Sequence, residues 1–192
     1  MKIILILGLT LTTFAQINAA IVFFDLVGRA GPGLLGGNET GTSTTPGSGG
    51  ETGAGIFFDD ASNLITINVG WGSGHGFTDL SGNATASHLH GPTAAVAPSS
   101  YNQNASVKYG LDSLSGFSNS AANGGFTSTT TTILAGDVPA LLAGQFYLNV
   151  HTTINAGGEI RGQLVAVPEP STQMLVASGI LGLFFLRRRR GA

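Results

Sequence analysis

The sequence predicts an all-β fold, an antiparallel Greek-key β-sandwich or barrel formed as one domain over residues 21–166. Three observations support this prediction. Apolar residues in this range occur in short runs of strand length, with almost no helical periodicity. Gly, Ser, Thr and Asn separate these runs, as they do in turns. At residues 64–69, Ile and Val alternate with Leu, Thr and Asn, which is typical of a strand with one buried face.

The individual elements follow from the same pattern. Strands are predicted at residues 21–27, 56–58, 64–71, 84–90, 106–111, 126–134, 144–152 and 159–165. Residues 34–55 are predicted to form a long loop, because Gly, Ser and Thr dominate and little apolar content is available to pack. The one predicted helix covers residues 137–143, with Asp137 as its N-cap, Pro139 in its first turn and Gly144 at its end.

The chain starts with the features of a secretory signal peptide over residues 1–20. Lys2 supplies the positive start, residues 3–14 the apolar run, and Ala19 and Ala20 the small residues of a cleavage site. We therefore expect export by the Sec machinery, with a mature protein that begins near residue 20 or 21.

The exported part is acidic and has no cysteine. All ten acidic residues lie between Asp25 and Glu169, where only three basic residues accompany them. Such a body is repelled by nucleic acid and by anionic lipid headgroups, which argues against both as partners. Without cysteine, the fold depends on packing and hydrogen bonds, and a cysteine nucleophile, an iron–sulfur cluster and a cysteine-rich zinc site are excluded.

A three-part tail occupies residues 167–192. A Pro-Glu-Pro step is followed by an apolar run over residues 174–186 and by four arginines. As a helix this run spans about 20 Å, short of the roughly 30 Å hydrocarbon core, so it is a marginal membrane anchor. The arginines stay cytoplasmic and leave the acidic body outside. The sorting motif comprises Val167, Pro168, Glu169 and Pro170, and the stop-transfer block comprises Arg187, Arg188, Arg189 and Arg190.

This tail resembles the PEP-CTERM sorting signal of Gram-negative bacteria, which is found in species that make exopolysaccharide. The resemblance implies that an exosortase, a membrane protease-transpeptidase, recognises Pro168, Glu169 and Pro170. An ordinary single-span anchor with a basic flank is the alternative. Either interpretation places residues 21–166 outside the cytoplasm. The expected route is an intermediate anchored in the inner membrane through the C-terminal helix, and then the cell surface or the extracellular space.

Three segments point to a family for the body of the chain. They are residues 64–69 after an acidic turn, His-Leu-His-Gly-Pro at 88–92, and residues 142–152, which end in Asn-Val-His-Thr and lead to Gly-Gly-Glu-Ile-Arg-Gly-Gln-Leu at 157–164. Together they resemble the CHRD domain over roughly residues 22–166. Thr40-Gly41-Thr42 depart from the family, in which prolines follow the Asn-Glu step. The resemblance implies an extracellular β-rich module with no established catalytic activity.

Three histidines are candidate metal ligands. His88 and His90 lie two apart on one predicted strand and therefore project from the same face. His151, on another strand, would complete a three-ligand site for Cu or Zn. The His-Leu-His step resembles the copper-binding strand of Cu/Zn superoxide dismutase, whose zinc-loop histidines, aspartate ligand and disulfide have no counterparts here. The alternative is that the three rings hydrogen-bond to backbone or carboxylate groups and fix loops.

Glu159 and Arg161 share one strand face, so we expect a structural pair in which Arg161 also binds a loop carboxylate such as Glu39 or Asp25. No catalytic set is recognisable, since no nucleophile elbow of the Gly-x-Ser-x-Gly type precedes a helix. The leading hypothesis is a non-enzymatic surface or matrix protein without a cofactor, which binds exopolysaccharide or a surface protein. The alternative is a metal-dependent enzyme that uses the three histidines.

Overall fold

A computed structural model describes residues 20–36, 45–118 and 121–168. The chain forms ten strands, one short helix and two single 3-10 turns, Ser73–His75 and Ser99–Asn102. The strands are β1 (Ile21–Gly28), β2 (Gly31–Pro32), β3 (Leu34–Leu35), β4 (Ser48–Asp59), β5 (Leu64–Trp71), β6 (Ala84–His90), β7 (Val107–Gly110), β8 (Gly124–Thr132), β9 (Tyr147–Thr152) and β10 (Ile160–Ala166). The helix is α1 (Val138–Leu142).

All strand pairs are antiparallel. The eight long strands follow the order β8-β5-β4-β1-β10-β9-β6-β7, while β2 pairs with β1 and β3 lies between β4 and β10. The connections from β5 to β6, from β7 to β8 and from β8 to β9 cross between the two halves of the sheet. These crossings are typical of a Greek-key arrangement.

The sheet folds over on itself to form a sandwich. Ile65 and Ile67 of β5 belong to the same buried cluster as Leu148 and Val150 of β9, although these strands lie in different halves of the sheet. The cluster is apolar because alternate residues of each strand point into it. The prediction of an all-β antiparallel fold is therefore confirmed.

The sandwich has two outward faces that differ in exposure. We call the outward side of β1, β4, β5 and β8 the open face, which carries the half-exposed Phe23 and the exposed Thr130. We call the outward side of β6, β9 and β10 the covered face, because the segments 91–106 and 153–158 lie over it. All six residues of β9 are buried, so this strand is enclosed on both sides.

The predicted loop over residues 34–55 is wrong at both of its ends. Leu34–Leu35 form β3, and residues 48–55 are the first half of β4, which pairs with β5. Apolar and polar side chains do not alternate in this half of β4, because many of its positions are glycines, which have no side chain. A Cβ on Gly49 would lie 2.6 Å from Gly70 O, so the neighbouring strand approaches more closely than any larger residue allows. Residues 37–44 lie outside the described residues.

The helix occurs where it was expected, but Asp137 does not cap it through its side chain. Its carboxylate instead accepts a hydrogen bond from the Tyr109 hydroxyl at 2.5 Å and pairs with Lys108 Nζ at 3.1 Å. The Asp137 carboxylate, which the sequence predicts as the helix cap, is therefore bound by Tyr109 and Lys108 of β7 instead. Within residues 20–36, 45–118 and 121–168, no helix has the length and apolar character needed to cross a membrane. The predicted membrane helix of the tail lies outside this part of the chain.

Candidate metal site

Two strands of the covered face bring the three histidines together. His88 and His90 alternate on β6 with Leu89, which is buried in the core, so both imidazoles point outward. On the neighbouring β9, His88 pairs in register with Asn149, two residues before His151. His151 itself pairs with Ala86 and is therefore a diagonal neighbour of His88, whereas His90 pairs with Tyr147 and approaches the other two rings from the end of β6.

The three rings form a compact cluster. The ring centroids of His88 and His151 are 4.7 Å apart, and those of His90 lie 5.6 and 5.7 Å from the other two. Nδ1 of His88 lies 2.9 Å from Nε2 of His151. One ring nitrogen from each histidine lies within 4.8 Å of the others. Nitrogens that bind one ion at about 2.0–2.1 Å are about 3.4 Å apart in a tetrahedral site, so the rings must draw together by up to about 1.4 Å to bind it.

Each ring has an acceptor on its opposite nitrogen. His90 Nδ1 lies 2.9 Å from Ala105 O, His151 Nδ1 lies 2.9 Å from Ala156 O, and His88 Nε2 lies 3.3 Å from Asp112 Oδ1. Because carbonyl oxygens only accept, the first two contacts place the ring protons of His90 and His151 on Nδ1, so that their Nε2 atoms carry lone pairs. His88 Nδ1 lies at hydrogen-bond distance from His151 Nε2, so the His88 ring either donates its proton there or, with its proton on Nε2 beside Asp112, leaves three ring nitrogens as ligands for one cation. Acceptors on the non-ligating ring nitrogens are the contacts that metal-binding histidines have.

Two buried polar atoms at this cluster have no hydrogen-bond partner among the described residues. They are His90 Nε2 and Asn149 Oδ1. The Asn149 amide nitrogen donates to Gly157 O at 3.3 Å and lies 3.5 Å from His151 Nε2. A buried nitrogen with an unused lone pair is costly unless it binds something. The orphaned His90 Nε2 therefore fits a metal ligand better than it fits a structural histidine.

Burial favours the neutral form of two of the imidazoles, those of His90 and His88. It lowers the pKa of His90 to about 4. Burial, followed by the nearby His151, also lowers the pKa of His88 below its ordinary value. Neutral imidazole is the form that binds a transition metal, so these two rings are available as ligands at neutral pH.

A stack of three side chains supports one side of the cluster. The ring of His90 stacks on Tyr147 with centroids 4.9 Å apart and an angle of 14°. On Tyr147 the guanidinium carbon of Arg161 lies 3.4 Å from the ring centroid. Arg161 is 1% exposed and donates to Ser100 O at 3.0 Å. The stack ties β6, β9 and β10 together and restricts the orientation of the His90 ring.

Glu159 lies on the covered face immediately before β10 and is buried. Its carboxylate accepts hydrogen bonds from Gly47 N at 2.9 Å, Ser81 N at 2.6 Å and Thr152 Oγ1 at 2.8 Å. Burial opposes ionisation, but the hydrogen bonds outweigh it and hold the pKa of Glu159 below its usual range. Glu159 thus joins the residue before β4, the β5–β6 connection and the end of β9. Glu39, an expected partner of Arg161, lies outside the described residues.

The sorting motif begins where the sheet ends. The Val167 N–H donates to Phe23 O at 2.8 Å, and Pro168 ends the described chain. Of the other residues expected to take part in sorting, Glu169 and Pro170 lie beyond this point, as do Arg187, Arg188, Arg189 and Arg190.

Comparisons with known families identify the two parts of the chain. Residues 33–164 match the family model of the CHRD domain, which is more than half of the chain. The chain belongs to the CHRD domain family. Residues 166–190 match the PEP-CTERM protein-sorting motif. Both resemblances noted in the sequence are thereby confirmed, and the sorting motif implies export with membrane-anchored sorting to the surface. No curated protein and no solved structure gives a significant match.

Sequence reasoning missed the groups that surround the histidines. Asp112 follows β7 in a loop, 24 positions after His88, and no motif connects the two. The carbonyls of Ala105 and Ala156 carry no side-chain signal at all. Tyr147 has a clear strand pattern, but its stacking on His90 depends on the register of β6 against β9.

Proposed function

We propose that the protein is an exported, non-enzymatic surface protein whose CHRD domain binds one Cu or Zn ion through His88, His90 and His151. One observation carries this proposal. His88 Nδ1, His90 Nε2 and His151 Nε2 converge, the opposite nitrogen of each ring faces an oxygen atom, and His90 Nε2 is buried with no hydrogen-bond partner among the described residues. Imidazole nitrogen is a preferred ligand of both ions.

Metal content tests the metal site. The mature exported protein is purified, and bound metal is measured by mass spectrometry and by titration calorimetry with Cu²⁺ and Zn²⁺. We expect one ion per chain, which is lost in His90→Ala. His75, an exposed histidine in a glycine-rich segment, provides the matched control, and His75→Ala should keep the ion. Binding far below one ion per chain, or binding unchanged by His90→Ala, would contradict the proposal.

The sorting motif supports the second part of the proposal, which is that exosortase processes the tail and places the domain in the extracellular polysaccharide layer. Deletion of residues 169–192 keeps the Val167 hydrogen bond to β1 and removes the tail. We expect this variant to appear unprocessed in the medium, whereas the full chain is retained at the membrane and then cut. A full-length chain that stays in the cytoplasm would refute this part.

A metal-dependent redox or hydrolytic enzyme is the second candidate. It is favoured by the ligand number, because three protein ligands leave one coordination position for water or substrate. The His88 side chain is 21% exposed beside Asp112, which is 37% exposed, so solvent reaches this part of the cluster. Turnover of superoxide or of an activated ester by the loaded protein, and its loss in His90→Ala, would favour the enzyme over a binding protein.

A further inference from the structure

One end of the sandwich carries nearly all of the exposed apolar side chains. We define the exit end as the start of β1, the end of β10, the β4–β5 turn, and the β6–β7 and β8–β9 connections. We propose that this end rests on the lipid surface of the bilayer that holds the tail. This inference depends on the proposed anchoring of the tail, which its test checks separately.

The chain leaves the domain at the exit end. Ala166 pairs with Phe24 on β1, and the Val167 N–H donates to Phe23 O. β1 begins at Ile21, only two residues from this contact, so the path to the tail passes directly beside the start of the first strand. The hydrogen bond holds Val167 to the sheet and leaves no free linker before Pro168.

The distance to the apolar run is short. Five residues, 169–173, separate Pro168 from Met174. Even fully extended, five residues reach at most about 18 Å. An eight-residue strand such as β1 is about 26 Å long. The exit end must therefore stay close to the bilayer surface, and the opposite end is held away from it.

Exposed apolar side chains are concentrated on this same end. In the part of the chain that the structure describes, eight large apolar side chains are exposed. Seven belong to the exit end or to the first residues of strands that start there, and one, Ile154, lies at the opposite end. The seven are Ile21, Phe23, Leu64, Val96, Val107, Leu134 and Leu142. Single exposed apolar residues are ordinary, but such a one-sided distribution is typical of an interaction surface.

The charges at the exit end favour neutral lipid over anionic lipid. Asp137 is paired with Lys108, and the Asp59 carboxylate accepts hydrogen bonds from Ala61 N and Ser62 Oγ within its own turn. Asp60 accepts a hydrogen bond from Ala20 N at 2.7 Å. Acidic residues thus exceed basic ones here, which opposes anionic headgroups. Contact with zwitterionic lipid depends on the apolar side chains and meets no net charge repulsion.

Site-directed labelling tests the inference. The chain has no cysteine, so one introduced cysteine gives one label. Leu134 at the exit end and Ile154 at the opposite end are each 59% exposed, which makes Leu134→Cys and Ile154→Cys a matched pair. The full mature chain, residues 21–192 with one fluorescent label, is reconstituted into phosphatidylcholine vesicles that contain nitroxide-labelled headgroups. We expect the label at 134 to be quenched several-fold more than the label at 154.

The outcomes separate the inference from the anchoring on which it rests. If the full chain does not float with the vesicles, the anchored tail itself is refuted. If the chain floats and both labels are quenched equally, the anchor stands and the docked orientation is wrong. Quenching at 134 that disappears when the chain is diluted among vesicles would identify a second copy as the occupant and overturn the lipid contact. If the label at 134 is shielded only when exosortase is added, the exit end contacts that enzyme and not the lipid surface, and the proposed lipid contact is wrong.

Discussion

The open face and the covered face are built from the same sheet and the same alternation, yet they have different chemistry. On the open face, Phe23 is 43% exposed and its ring meets Phe57 with centroids 6.0 Å apart. On the covered face, Tyr147 is 1% exposed and lies between an imidazole and a guanidinium. Both residues are aromatic and both point outward from a strand. The difference comes from the segments that close over one face and leave the other in solvent.

This comparison shows what cover does to polar groups. Asn149, Glu159 and Arg161 are 0%, 3% and 1% exposed, so each must find protein partners in place of water. The same exclusion of water lowers the pKa of His90 and leaves its Nε2 without a partner. On the open face Asn68 is the buried exception, 8% exposed and hydrogen-bonded to Gly55 O and Ser128 N. Among the described residues, the histidine cluster with its buried polar neighbours lies on the covered face.

The largest expected difference between the faces concerns their aromatic residues. Tyr147→Ala removes a ring packed on both sides, and we expect it to reduce the free energy of unfolding by about 4 kcal/mol. Phe23→Ala should cost about 1 kcal/mol, because part of that ring is already in water. Urea denaturation of the two variants measures both values. Equal losses would show that the cover contributes nothing to packing on this side of the sheet.

A carboxylate pair sharpens the same contrast. Glu159→Gln weakens several charge-assisted hydrogen bonds to buried donors, and we expect a loss of about 3 kcal/mol. Asp25→Asn, at an exposed position of β1, should change stability by less than about 0.5 kcal/mol. Because the pKa of Glu159 is lowered on folding, its contribution is present above the ordinary value of 4.5 and lost as pH falls through the folded value. The stability difference between wild type and Glu159→Gln should accordingly shrink in acid, and a constant difference would contradict this account.

The smallest expected effect concerns Asp112, which orients a proposed ligand without touching the ion. Asp112→Asn weakens the acceptor for His88 Nε2–H, so metal affinity should fall 10- to 100-fold, on the order of 1.4–2.7 kcal/mol. Asp79→Asn, a carboxylate bonded to Ser73 N on the far side of the β5–β6 connection, serves as the control and should leave affinity unchanged. Calorimetric titration of both variants makes the comparison. If metal affinity is unchanged in Asp112→Asn, Asp112 does not orient His88 for metal binding.

Several features of the fold were accessible from local pattern. The alternation at residues 64–69 identifies β5, and the step from His88 to His90 places two rings on one face whatever surrounds them. The first half of β4 was not accessible, because strand pairing there runs through Gly49 and Gly50 and leaves no apolar signal. The sequence predicts Asp137 as the helix N-cap, because its actual partners, Tyr109 and Lys108, are distant in sequence and do not belong to the local pattern.

By itself, the sequence determined the β class, the family, the sorting tail and the identity of three histidines, because strand alternation and short motifs are local properties of the chain. The tertiary structure alone decided that His151 stands beside His88, that Asp112 and two carbonyls take up the outer ring nitrogens, and that the exposed apolar residues collect where the chain leaves the domain. These relations depend on strand register and on segments that cross over a face. Such contacts join residues tens of positions apart, and no periodicity along the chain records them.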